Sequence, residues 1–230
     1  MRTKKQRRRR KKLKMMNKRL VKKWYFLAPR SCWTGQILNH YDYSWVDWWD
    51  FDTGWGKTFG WMFLKELGNA VAESKQKDFQ ILQQKEKYGE LRTYTNGCSE
   101  KVQKIIDKYE HISQHVCFYC GVEAPITDDG YILPRCFDCY CKECRRAEAW
   151  SMKNHPDIKP VTDEELRKHY KKIICDTPDE NGEYHIPMSY TIRRWSKDKT
   201  EDITYDISDT VKKIQKRISN YSKRRDGVGI

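Results

Sequence analysis

Two short stretches decide the fold: Cys117-Phe118-Tyr119-Cys120-Gly121, and Cys136-Phe137-Asp138-Cys139-Tyr140-Cys141-Lys142-Glu143-Cys144. Together they hold six of the chain's nine cysteines. The first four fall in the pattern C-x2-C-x15-C-x2-C. Two residues between thiolates is the spacing with which a tight turn presents both sulfurs to one tetrahedral ion. Gly121 fits the turn that follows Cys120, where backbone amides crowd toward the sulfurs and a Cβ is awkward. The spacing therefore predicts one structural Zn²⁺ held by Cys117, Cys120, Cys136 and Cys139. Residues 142–150 read as a helix, which places the second pair at a helix N-terminus, where the dipole favours thiolates. Knuckle, short hairpin and paired ligands entering a helix describe a treble clef; a zinc ribbon is the neighbouring option. Cys141 and Cys144 are alternative ligands, either replacing Cys136 and Cys139 or joining His111 and His115 around a second zinc. Arg135, Lys142, Arg145 and Arg146 lie near enough in sequence to balance a doubly negative four-thiolate site.

Outward from this module the chain divides by charge. Its 230 residues carry a net charge of +14, but residues 1–41 hold fifteen Lys/Arg and no acid. Residues 42–210 carry a net −7 and residues 211–230 a net +6. Fourteen of the basic residues lie between Arg2 and Lys23, including the unbroken run Arg7, Arg8, Arg9, Arg10, Lys11 and Lys12. Such a block repels itself, so residues 1–23 are expected to be a disordered polybasic arm that condenses onto phosphate backbones. A solvated tail, a localisation signal and a basic amphipathic helix on an anionic membrane, built on Leu13, Met15, Met16, Leu20 and Val21, are the competing readings. No stretch approaches the roughly 18 apolar residues of a membrane span, and Lys22 and Lys23 interrupt any secretory core. A cytoplasmic protein is expected.

The body, residues 24–176, is aromatic-rich. Seven of nine tryptophans lie in residues 24–61: Trp24, Trp33, Trp45, Trp48, Trp49, Trp55 and Trp61. Asp42, Asp47, Asp50 and Asp52 among them repel phosphate, so this segment reads as core rather than as a base-stacking platform. Apolar periodicity predicts helices over 58–74, over 99–112 with Ser99 as cap, and from the Thr162/Glu165 capping box to about Ile174. Strands at 79–83 and 91–94 flank Tyr88-Gly89 as a hairpin. Thr177 to Gly182 marks a boundary, after which 177–230 forms a C-terminal α/β extension. That extension has strand character over 183–207 and a last helix carrying Ile207, Val211, Ile214, Ile218 and Tyr221. The fold class is α+β, with the zinc module at 117–150.

For function, the residues point to a non-enzymatic, nucleic-acid-associated protein (DNA or RNA) that uses the arm and, on the last helix, Lys212, Lys213, Lys216 and Arg217. A rival is an interaction factor that engages a host or virion protein through the acidic body. A third is a divergent treble-clef nuclease. Against it, the segment that should hold a catalytic histidine, Asp128-Asp129-Gly130-Tyr131-Ile132-Leu133-Pro134, has none.

Residues 41–140 also resemble a family of small uncharacterised bacteriophage proteins. The resemblance runs through Tyr41-Asp42-Tyr43-Ser44, Gly54-Trp55, Phe59-Gly60 and the stretch from Gln84 to Arg92. It continues through Ile105 to Glu110, Ser113, Cys117 to Gly121, Gly130 to Pro134, Cys136 and Cys139. The chain departs from the family pattern at Glu90 and Tyr131, where glycine and tryptophan are usual. The resemblance implies a zinc-binding phage or prophage protein of the bacterial cytoplasm with those four cysteines as ligands. It implies no activity.

Overall fold

The computed structural model describes residues 3–31, 33–43, 53–195 and 200–226. Among the described residues it is α+β: six α-helices, α1 (Lys4–Lys23), α2 (Trp61–Glu73), α3 (Glu100–Ser113), α4 (Phe137–Asn154), α5 (Asp163–Ile173) and α6 (Ser208–Asp226), and three two-stranded antiparallel sheets. The sheets pair β1 (Ile81–Lys87) with β2 (Glu90–Thr95), β3 (Ile126–Asp128) with β4 (Ile132–Pro134), and β5 (Ser189–Trp195) with β6 (Thr200–Asp206). Two compact units emerge. The first gathers Met1–Asp50, Gly60–Lys87 and Leu91–Glu110; the second gathers Phe51–Phe59, Tyr88–Glu90 and His111–Ile230. The last two strands and α6 fall in the second unit with the cysteine module.

In the first unit, α2 buries Phe63, Leu64, Leu67, Ala70 and Val71. α3 answers with Val102, Ile106 and Tyr109, and the Phe63 and Tyr109 rings lie 5.0 Å apart. Gly68 lets Trp24 approach: a Cβ there would sit 2.3 Å from the indole Nε1. Ser99 caps α3, its hydroxyl accepting from the Val102 amide, as the sequence predicts. The β1–β2 turn is Tyr88-Gly89, both at positive φ (54° and 80°). Two left-handed residues in succession match the twist of a tight hairpin.

The expectation of a disordered arm is corrected. Residues 4–23 form a helix, capped by Thr3 and Gln6 in a reciprocal capping box. The reason lies in its second half. Leu13, Met16, Asn17, Leu20, Val21 and Trp24 recur at three- and four-residue intervals and turn inward, with Asn17, Leu20 and Trp24 buried. Asn17 Nδ2 donates to the Tyr43 carbonyl at 2.7 Å. Asp42 accepts from Arg10 and lies 3.8 Å from Lys14. Docking supplies the costly nucleus, and Arg and Lys, good helix formers, propagate it toward the N-terminus. Of the apolar residues that suggested a membrane helix, Leu13, Met16, Leu20 and Val21 turn inward and Met15 stays exposed.

In the second unit, Tyr140, Leu166, Tyr170 and Ile173 make one apolar cluster and Cys117, Ala124 and Cys139 another. α5 starts at the Thr162/Glu165 capping box. Ile207, just ahead of α6, and Val211 and Ile214 within it are buried, and Gln215 donates to Glu123 at 2.9 Å. Of the aromatic segment, Trp45, Trp48, Trp49 and Phe51 lie outside the described residues, as do Asp47, Asp50 and Asp52.

Candidate metal centre

After α3 the chain reverses at Cys117. Its amide donates to the Val122 carbonyl at 2.7 Å, and the Gly121 amide returns to the Cys117 carbonyl at 2.9 Å. Gly121 takes φ +86°, which a side chain rarely allows. This turn aims Cys117 and Cys120 the same way. The β3–β4 hairpin then carries the chain to Cys136, the N-cap of α4, and Cys139 sits in that helix's first turn. The Sγ atoms of Cys117, Cys120, Cys136 and Cys139 all lie within 4.8 Å of one another, with Cys120 and Cys136 3.5 Å apart. At a metal–sulfur distance of about 2.3 Å, a tetrahedron has edges of about 3.8 Å. The four sulfurs fit one ion. Cys117 and Cys139 are buried, the other two half-buried.

The electrostatics agree with shared sulfur chemistry. Cys117 is held well below its ordinary thiol range, first by hydrogen bonds from the Cys120, Cys136 and Cys139 side chains, with the Cys136 backbone contributing. Hydrogen bonding to Cys117 is also the leading influence that pushes Cys136 and Cys139 up. Cys117 and Cys120 are pushed down while Cys136 and Cys139 are pushed up, so the four sulfurs share protons that a bound cation would replace.

The other candidate ligands go elsewhere. Cys141 and Cys144 pack against the Tyr140–Tyr170 cluster. The His111 and His115 rings meet edge to face at 5.2 Å, and His111 stacks on Tyr190 at 5.3 Å. Among the described residues, the four-cysteine group alone brings three or more such side chains within metal-binding reach. Burial, then His115 beside it, holds His111 down to about 4. In the unfolded chain it titrates near 6.5. Between these values the unfolded chain binds more protons, so this residue's contribution is present above pH 6.5 and lost as pH falls to 4. A His111→Phe variant should show a flatter acid limb in thermal melts across pH 4–6.5.

Two features around the sulfurs escape sequence reasoning. The first is a strap, residues 53–59, laid over the knuckle. The Gly54 amide donates to the Phe118 carbonyl at 2.5 Å. Trp55 Nε1 donates to the Val116 carbonyl at 2.8 Å, and its ring meets Phe118 at 5.0 Å. Thr58 Oγ1 donates to the Gly121 carbonyl at 2.8 Å. Trp55, read as core, is buried and packs there against the knuckle.

The second is Arg135, read as a charge balance but employed as a buried hub. Its guanidinium, 5% exposed, pairs with Asp129 at 2.8 Å and Glu143 at 3.2 Å. Nε donates to Thr127 Oγ1 at 2.9 Å, and its carbonyl accepts from Tyr170 at 2.5 Å. It thus ties the chain just after β4 to β3, α4 and α5. Replacing it by methionine should remove the ion pairs to Asp129 and Glu143 and the bond to Thr127, which keeps its bond to the Leu133 carbonyl, and cost about 2–4 kcal/mol by denaturant titration. Arg145 is likewise engaged, by Glu148 and Asp163, whereas Lys142 and Arg146 face solvent.

The expected phosphate contacts fall on two helices. Arg7, Arg8, Arg9, Arg10, Lys11 and Lys12 are exposed on α1, and Lys212, Lys213 and Lys216 on α6. Arg217 donates to the Lys57 carbonyl at 3.2 Å. No helix among the described residues is long and apolar enough to cross a membrane. Comparison with protein-family models, curated proteins and solved structures finds no match to this chain.

Proposed function

We propose that the chain is a zinc-binding, nucleic-acid-associated protein of phage type, without catalytic activity of its own, in which α1 contacts phosphates. The observation that carries this reading is the outer face of α1. Arg7, Arg8, Lys11 and Lys12 are exposed and have no carboxylate partner among the described residues. Helix formation sharpens the effect, because rigid cations spaced at about 1.5 Å per residue present a fixed line of charge to a polyanion. Phosphate contacts of this kind give affinity without reading sequence.

The metal is read as zinc from the donor set: four thiols, a closed group, and a helix N-terminus under the second pair. Turn, hairpin and helix succeed one another in treble-clef order. Four sulfurs would fill a tetrahedral ion's positions, so the metal would hold the fold and leave no place for a substrate. The absence of nuclease activity is supported by the roles of the two carboxylates that would serve it. Asp129 is tied to Arg135, and Asp128 accepts from the Gly130 amide within its own turn.

The test is a salt titration of oligonucleotide affinity, with the full chain. Deleting residues 1–23 is unsuitable, because it removes Asn17 and Leu20 from a core. The variant to compare is the fourfold Arg7→Ser, Arg8→Ser, Lys11→Ser, Lys12→Ser. If all four residues meet phosphates, the slope of log K against log[salt] should flatten by about 3. An unchanged slope and affinity would remove α1 from the interface.

A further inference from the structure

Along α1 runs a groove of about 560 Å³, lined by Arg8, Lys11, Lys12, Met15, Met16, Arg19, Leu20 and Trp61. Its floor is apolar and its rim cationic. Met15 is 50% exposed and Trp61 45% exposed, so both apolar side chains can meet a ligand in the groove. Two contacts position Trp61: Trp24 meets it edge to face at 5.4 Å, and the Lys23 ammonium lies over its ring, 5.3 Å from the centre. The indole is therefore a positioned ring rather than a loose one.

We infer that this groove is a single-strand nucleic-acid site, in which an unstacked base lies on Trp61 and Met15 while Arg8, Lys12 and Arg19 meet the flanking phosphates. The inference rests on the nucleic-acid reading above and deepens it by naming the form bound. Charge complementarity selects the occupant. A polyanion is required by the rim, and a flat apolar group by the floor; a single strand offers both together. A duplex keeps its bases stacked inside and offers the rim alone. An anionic membrane would need a broad apolar face on α1, but Leu20 and Trp24 are buried in the unit, and Leu13 and Met16 turn with them. Arg8 and Lys12, one helical turn apart, are separated by about 6 Å along the axis, and Arg19 lies about 10 Å further on. That length accommodates a few nucleotides.

The experiment measures binding of labelled oligothymidylate, a hairpin duplex and anionic phospholipid vesicles to the full, metal-loaded chain and to its Trp61→Leu and Trp61→Phe variants. The wild-type chain should prefer the single strand. Trp61→Leu should lose about 5- to 150-fold in single-strand affinity with the salt slope unchanged, and Trp61→Phe should recover most of it. Because Trp61 also touches Trp24, a second measurement avoids substitution. Photocrosslinking of 5-iodouracil oligonucleotide to the wild-type chain should place the adduct on Trp61. Equal affinity for single strand and duplex, or adducts on the exposed Trp33 or Trp150 in place of Trp61, would overturn the groove while leaving the phosphate reading intact. Binding to vesicles with no binding to either oligonucleotide would overturn both.

Discussion

Changing Cys117 or Cys136 to serine is expected to abolish metal binding and to melt the second unit, while the same change at Cys141 or Cys144 leaves one metal per chain. The contrast follows from geometry. The first two belong to the group of sulfurs within 4.8 Å of one another. The other two pack against Tyr140, Leu166, Tyr170 and Ile173. Structural zinc contributes about 10–16 kcal/mol in small finger peptides near neutral pH, which is as large as the whole stability of a typical domain. Beyond the strap, the module has little apolar support: β3 and β4 are three residues each, and the buried cluster around the sulfurs is small. Elemental analysis of the metal and a circular-dichroism melt would read both effects. A Cys117→Ser protein that keeps its metal and its melting point would refute the ligand set. Chelation of the wild-type chain should reproduce the serine phenotype.

The second large effect is expected at Gly54. A Cβ there would lie 2.1 Å from the Cys117 carbonyl oxygen, 2.4 Å from the Gly121 amide nitrogen and 2.9 Å from the Gly121 Cα. All three are backbone atoms of the knuckle, so no side chain can swing aside. Gly54→Ala must lift the strap or spread the turn, at an expected cost of about 3 kcal/mol or more. Spreading the turn moves Cys117 and Cys120, so the variant should also release metal to a chromogenic chelator faster than wild type. Thr58→Val provides the graded comparison. It removes only the bond to the Gly121 carbonyl, for about 1–2 kcal/mol. Equal stability of Gly54→Ala and wild type would show that the strap does not bear on the knuckle.

What could be read in advance was local. The C-x2-C pairs were legible because each is set by one turn or one helix start. The Thr162/Glu165 box and the Ser99 cap were legible for the same reason. The strap was not, since Gly54 and Cys117 are over sixty residues apart and nothing in Gly54-Trp55 says what it lies against. Arg135 looked like any cation near thiolates; only its burial between Asp129, Glu143 and Thr127 shows it to be a hub. α1 misleads differently. The periodic Leu13, Met16 and Leu20 were visible, but a charge run argues for disorder, and the partners that outweigh it, Tyr43 and Asp42, come from a distant loop. The i, i+4 histidines suggested ligands, and Tyr190, some eighty residues on, claims one of them by stacking.

X-ray absorption at the zinc edge of the purified full chain tests the closed four-sulfur centre directly. The expected result is one zinc per chain with four sulfurs at about 2.3 Å and no lighter ligand. A shell of mixed sulfur and nitrogen, or a folded chain with no bound metal, would contradict it.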